Sequence, residues 1–348
     1  MRRTWWGPAL NDDGRAVLDL VDDLVDDRLR RADDHDPEGI AAARRVLAGH
    51  GLWTLGADEA GGGGGADRRT TLLALARLAG TWPALAWASV QAHAACLLLS
   101  DHAADAVDAP ALLADVHRGE PVAVVDATDE QVDVVGGQVF GVLGRVDAAA
   151  AEPRVLALTD RETAVLLPSG AVQHGPVLGR TGLHGAMTHF CSVQRTLPDG
   201  AVVRGPVVVR ARILLHAGAS ALAAGVAEAA AHAAVSYSGE REQFGGPLTD
   251  LPTVRSSLSA QVTAVRRLLV TALAADVDDP VATAAALAPA MEDALDVAAA
   301  AVQSHGGYGY MVEYRVEGLL RDLVSLRAAS GATDAARCAA DVLVGADT

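Results

Sequence analysis

The sequence predicts a mostly α-helical protein with a central β domain, and three observations carry this. From Ala16 to about Ala104 apolar residues recur at helix spacing, as Val17, Leu20, Val21 and Leu24 do. After Gly119-Glu120-Pro121 short β-branched runs separated by turn residues take over. From about Val209 onward long helical patterns return, broken only at Gly245-Gly246-Pro247, Asp278-Asp279-Pro280 and Gly306 to Gly309. The expected domains are therefore an N-terminal helical domain over 1–119, a small β barrel over 120–208 and a C-terminal four-helix bundle over 209–348.

In the first domain, Asp22, Asp23, Asp26, Asp27 and Arg28 to Arg31 read as a solvated helix face. Gly61 to Gly65, following Asp58-Glu59-Ala60, must interrupt the helices. The run lacks the Gly-Lys-Ser/Thr of a P-loop, so it reads as a flexible connecting loop rather than a phosphate cradle. In the second domain the runs Val122 to Val125, Val132 to Val135, Arg154 to Thr159, Ala164 to Leu167 and Ala201 to Val203 suggest a small antiparallel sheet or barrel. In the third, helices are expected over 209–240, 251–276, 281–304 and 313–343.

Composition excludes several function classes. With 51% hydrophobic and 21% charged residues the chain is globular, and the scarcity of aromatics beside abundant Ala, Val and Leu suits closely packed helices. A formal charge of −16 argues against a nucleic-acid partner, which needs clustered cations. Cys96, Cys191 and Cys338 lie far apart, and no HxxxH or HExxH pair occurs, so neither a disulfide framework nor a metal site is indicated. Met1 to Trp6 lacks the apolar run of a signal peptide, and no stretch reaches ~18 uninterrupted apolar residues. A cytoplasmic protein that engages neither nucleic acid nor membrane is expected.

Two stretches stand out. Gln303-Ser304-His305-Gly306-Gly307-Tyr308-Gly309-Tyr310 interrupts a helical pattern and leads to Arg321-Asp322. Glycine costs about 1 kcal/mol in a helix interior, so either an ordinary turn lies here or something approaches the backbone closely. Tyr237-Ser238-Gly239-Glu240-Arg241-Glu242-Gln243-Phe244-Gly245 places Arg241 beside a helix-ending turn. A planar guanidinium there suits either a surface ion pair or bidentate contact with phosphate.

Together these stretches resemble the two C-terminal signatures of the acyl-CoA dehydrogenase family. Gly51-Leu52-Trp53 with Asp58-Glu59-Ala60-Gly61-Gly62 resembles that family's N-terminal motif, and Leu178-Gly179-Arg180-Thr181-Gly182 through Gly205 resembles the end of its β domain. The resemblance implies FAD, α,β-dehydrogenation of an acyl thioester carried on CoA or an acyl-carrier protein, and assembly as dimers of dimers. It also implies flavin contacts from Arg241, Gln243, Phe244, Gln303, Gly306 and Gly307.

The chain departs from the family in its catalytic parts. Where the family carries a glutamate base, Ala328-Ala329-Ser330-Gly331-Ala332-Thr333-Asp334 places Ser330. The alternative base position on the first bundle helix, Arg212 to Leu215, has no acid, and Glu228 and Asp334 read as solvated or interhelical. The loop that covers the flavin is missing after Val122 to Ala127, leaving Asp129 or Glu130 as poor replacements, and a family glutamine becomes Pro252. In the family each flavin lies between two subunits, so these losses suggest a base-lacking subunit of a heteromer that completes a partner's flavin site. The alternatives are a self-sufficient flavoenzyme with a relocated base, possible also as a homo-oligomer, and a non-redox acyl-thioester scaffold in which His184, His189 or His305 is the acid/base.

Overall fold

The computed structural model describes residues 3–26, 36–100, 109–128, 131–168, 170–275 and 278–345. Asp27, Arg28 to Arg31, Asp129 and Glu130 lie outside the described residues.

The N-terminal helices are α1 (Asp12–Leu24), α2 (Pro37–Gly49), α3 (Arg68–Ala79), α4 (Pro83–Ser100) and α5 (Ala109–His117). Side chains of Asn11, Asp36 and Asp67 cap α1, α2 and α3 by accepting from backbone N–H groups of their first turns. Helix α4 is buried on nearly every side. Asp22 does not belong to a solvated face: it accepts two 2.7 Å bonds from Arg77, whose remaining amino group donates to Glu228 at 3.1 Å. Glu228 is 1% exposed, so this network pins α1 and α3 against the bundle by satisfying buried charges that neither helix could carry alone.

The glycine run is a packed turn rather than a flexible loop. Gly63, Gly64 and Gly65 donate their N–H groups to the carbonyls of Asp58, Thr54 and Ala57. Side chains at Gly63 and Gly64 would collide with the backbone of Ala57 and Leu55. Those donors are therefore committed to the chain's own carbonyls.

The strands are β1 (Val122–Asp126), β2 (Gln131–Val135), β3 (Gln138–Val146), β4 (Arg154–Leu158), β5 (Thr163–Leu166), β6 (Val172–His174), β7 (His189–Thr196) and β8 (Val202–Arg204). They form two four-stranded sheets, β1-β4-β5-β8 and β2-β3-β7-β6, around their own core of residues such as Val139, Leu143, Val155 and Val165. The expectation of an all-antiparallel arrangement fails at one pair: β1 and β4 run parallel, with Val122 opposite Arg154. The chain between them contains the β2–β3 hairpin of the other sheet, so the return is a crossover.

Five helices complete the fold: α6 (Pro206–Glu240), α7 (Pro252–Leu273), α8 (Pro280–His305), α9 (Val316–Ala329) and α10 (Ala332–Val344). The single helix expected over 313–343 is two, because Gly331 adopts φ 63°, a left-handed conformation that ends α9 at Ser330 and restarts the helix. Pro252 opens α7, where its missing N–H costs no helical bond. Although α4 and α6 are long and apolar enough to span a membrane by length and composition, 89% and 94% of their most apolar windows are buried inside the protein.

Candidate functional site: a cavity and an exposed bundle end

A cavity of about 690 Å³ opens between the end of β1, helices α4, α6 and α8, and the α9–α10 junction. Arg212 of α6 stands at its wall with its donors directed to the β domain: Nε to Asp126 Oδ2 at 2.6 Å, Nη1 to the Arg161 carbonyl at 3.0 Å, and Nη2 to the Asp160 carbonyl at 2.9 Å. Burial alone would raise the Asp126 carboxyl, but the hydrogen bonds and charge of Arg212 more than offset it and hold that group below the usual carboxylate range. Asp147, also on the cavity wall, pairs with Arg145 and accepts from Thr188. Gln91 donates to the Asp147 carbonyl and accepts from Val124 N at 3.1 Å.

Ser330 lines the cavity and is 8% exposed; its hydroxyl donates to the Arg327 carbonyl at 3.2 Å. Asp334, one turn further on α10, also lines the cavity, but its side chain is 63% exposed and lies 3.6 Å from Arg337. Glu228 belongs to the Arg77 network and does not line the cavity. The structure therefore brings Ser330 and Asp334 to one cavity and leaves Glu228 out of it.

Of this cavity's residues, the sequence singles out neither Asp126 nor His216, and marks Arg212 only as the start of a stretch without an acid. Arg212 and His216 are four residues apart in a helix that is otherwise alanine-rich and apolar, and that polar pair on one helical face was the available signal. Burial pushes the His216 imidazole down to about 4, so it is neutral near pH 7. The other histidines considered as acids or bases are committed elsewhere. His189 Nε2 lies 2.9 Å from His174 Nδ1, His305 Nδ1 lies 2.7 Å from the Ala301 carbonyl, and His184 Nε2 lies 3.4 Å from an Arg321 amino group.

The second region lies where α6 and α8 end. Arg241 leaves α6 in extended backbone, and a two-residue hairpin pairs Glu242–Gln243 with Gly246–Pro247. Phe244 sits at its tip with φ 57° and is 88% exposed. The two sequence motifs meet here. The Arg241 guanidinium lies 5.7 Å over the Tyr308 ring, while Tyr237 stacks on His305 at 4.4 Å and meets Tyr314 edge-on at 5.7 Å. Gln243, Gln303, Gly306 and Gly307 are all exposed beside this aromatic cluster. Among the described residues Arg241 has no carboxylate partner.

Gly306 ends α8 with φ 58°, and neither it nor Gly307 has any atom within 4 Å of the place a Cβ would occupy. Their backbone is thus reachable from outside. An un-neutralised guanidinium beside open backbone fits an anionic diphosphate-bearing group such as FAD. None of these residues lines the cavity of Ser330, so the two regions are separate.

The comparisons with known proteins agree with this architecture. Residues 208–339 match the acyl-CoA dehydrogenase C-terminal domain family. The probable acyl-CoA dehydrogenase YngJ of Bacillus subtilis is 34% identical over 124 residues, a stretch that spans 34% of this chain and only 33% of that relative. The fold likeness extends over nearly the whole chain. Butyryl-CoA dehydrogenase from Megasphaera elsdenii superposes with a TM-score of 0.80 at 22% identity, covering 97% of this chain and 99% of that one. A glutaryl-CoA dehydrogenase from Mycobacterium smegmatis in complex with FADH2 gives a TM-score of 0.83 at 16% identity, covering 97% and 96%. Residues 208–339 thus match the acyl-CoA dehydrogenase C-terminal domain family in sequence, and nearly the whole chain shares the fold of solved acyl-CoA dehydrogenases.

Proposed function

We propose that this chain is a subunit of a heteromeric, cytoplasmic acyl-CoA dehydrogenase-like flavoprotein. It contributes to FAD-dependent α,β-dehydrogenation of an acyl thioester by completing the flavin site of a partner chain. What supports this reading is the contrast between the cavity and the bundle end. By the sequence resemblance Ser330 takes the position of the family's glutamate, and its hydroxyl donates to a backbone carbonyl. At the α6–α8 end Arg241 is without a counter-charge among the described residues, and the backbone of Gly306 and Gly307 is open.

When bound, FAD supplies the hydride acceptor. Arg241, Gln243, Phe244 and Gln303, with the backbone of Gly306 and Gly307, would hold it from this chain's side. A serine hydroxyl is far too weak a base for an α-proton near neutral pH, so the proton must go to a carboxylate supplied by the partner. Of this chain's cavity carboxylates, Asp126 and Asp147 are held as ion pairs and Asp334 and Asp341 are exposed to solvent, which leaves none poised as the base. Phe244, Tyr310, Met311 and Val312 are all exposed, and large apolar side chains left in water are what a subunit interface buries.

The test is purification of the chain alone and together with a dehydrogenase paralogue that retains the glutamate, followed by a visible flavin spectrum and a native mass. Alone the chain is expected to be colourless and inactive towards acyl-CoA thioesters; together the two should yield a yellow heteromer. A yellow homo-oligomer of this chain that oxidises an acyl-CoA would overturn the reading.

A further inference from the structure

We propose that His216 reads a polar group on the ligand: the cavity accepts an acyl thioester whose acyl part carries a hydroxyl or keto oxygen, in preference to a plain hydrocarbon chain. This rests on the proposed function, extended to take the cavity that Ser330 and His216 both line as the place where an acyl thioester enters this chain, and it names the class of thioester bound there.

His216 lines the cavity, is 8% exposed, and makes no hydrogen bond among the described residues. Its companions on the cavity wall include Trp87, Ile213, Ala284, Ala335 and Ala339, none of which offers a side-chain oxygen. Arg212 lies one turn before it, but Arg212 and Asp126 bond each other and the β domain. Among the other polar lining residues, Gln91 bonds backbone groups, Ser330 the Arg327 carbonyl and Thr128 the Asp126 carboxylate, Arg145 and Asp147 pair with each other, and Arg161, Asp334, Cys338 and Asp341 are solvent-exposed. His216 is thus a buried polar side chain left for whatever fills the cavity.

The chemistry of the occupant follows from the imidazole. A neutral ring offers one N–H donor and one acceptor nitrogen. A hydroxyl can meet either and a ketone can meet the donor, whereas a hydrocarbon meets neither and leaves a desolvated polar group unpaired. Selectivity of this type is strong, because a site built around a hydrogen bond rejects the analogue that lacks it more effectively than an apolar pocket rejects an extra methylene.

The experiment is calorimetric titration of the full chain, alone and within any heteromer it forms. The probes are octanoyl-CoA and a set of octanoyl-CoA derivatives carrying a hydroxyl or keto oxygen at successive carbons. At least one member of the set is expected to bind wild type about tenfold more tightly than octanoyl-CoA. His216→Leu should abolish that preference while strengthening octanoyl-CoA binding, and His216→Asn, which keeps a donor and an acceptor, should retain part of it. If no oxygenated thioester outbinds octanoyl-CoA, or if the preference persists in His216→Leu, the inference is wrong while the acyl-thioester reading stands. If no thioester binds at all, both fall together. The wild-type ratio alone overturns the inference if it shows no preference, and should His216→Leu fail to fold, full retention of the preference by His216→Ala overturns the assignment to His216.

Discussion

Inside the cavity the ionised groups that the fold buries are answered by the same chain: Arg212 by Asp126, Arg145 by Asp147. At the α6–α8 end the arrangement is reversed. Among the described residues Arg241 has an aromatic face beneath it but no carboxylate, and Phe244, Tyr310 and Val312 are 88%, 77% and 77% exposed. Large apolar side chains are rarely left in water without reason. The cavity answers its own charges, whereas the bundle end leaves a cation and apolar side chains facing outward, and this is the contrast that the proposed heteromer would explain.

The largest expected effect comes from Arg241→Ala. Charge-assisted hydrogen bonds contribute about 1.5–3 kcal/mol, so flavin affinity of a heteromer should fall by roughly 10- to 100-fold. The melting temperature of the isolated chain should change little, because Arg241 loses only a cation–π contact with Tyr308 and, among the described residues, no ion pair. A variant chain that melts early while its heteromer keeps flavin would reverse the comparison and make Arg241 a structural residue.

Two adjacent glycines sharpen it further. Gly306→Val forces an L side chain to φ 58°, a strain of about 1–3 kcal/mol that urea unfolding of the isolated chain should register. Gly307 is not in the left-handed region and has no neighbour within 4 Å of an added Cβ, so Gly307→Leu should change stability by no more than about 0.5 kcal/mol. Flavin retention in the heteromer should nonetheless drop, since the new side chain occupies the approach to the backbone. Equal flavin content in Gly307→Leu and wild-type heteromers would show that nothing comes close there.

The exposed end was legible in the sequence because its signals are local. Arg241 and Phe244 lie within one turn, as do Gln303, Gly306 and Gly307, and glycines that break a helix are visible without tertiary knowledge. The cavity was less legible because its geometry is long-range. Asp126 and Arg212 are brought together across 86 positions, and the parallel pairing of β1 with β4 that sets Asp126 in place has no signature in either strand. Helix α6 is buried on almost every side, so its apolar pattern marks no single core face, and the four-residue spacing of Arg212 and His216 is the only local hint of the cavity. The split at Gly331 was hidden because α9 and α10 both keep helical periodicity and one left-handed residue suffices to separate them. The glycine run misled for a related reason: composition announces a break but not that its N–H groups return to Thr54, Ala57 and Asp58.

The smallest effect tests the cavity side of the comparison. Because the folded-state Asp126 carboxyl lies below its ordinary value, its pairing with Arg212 stabilises the fold above the unfolded-state value, near pH 4, and that stabilisation is lost as pH falls through the folded-state value. The Asp126 side chain is 36% exposed and the pair is partly screened, so Asp126→Asn should lower stability at pH 7 by no more than about 1 kcal/mol. The two proteins should then converge on acidification, wild type losing stability more steeply below about pH 4. Denaturant curves at several pH values measure the gap directly. A gap that stays constant down to acid pH would mean that the Asp126 charge is not what ties β1 to α6, and that Arg212 is held at the cavity wall by the carbonyls of Asp160 and Arg161 alone.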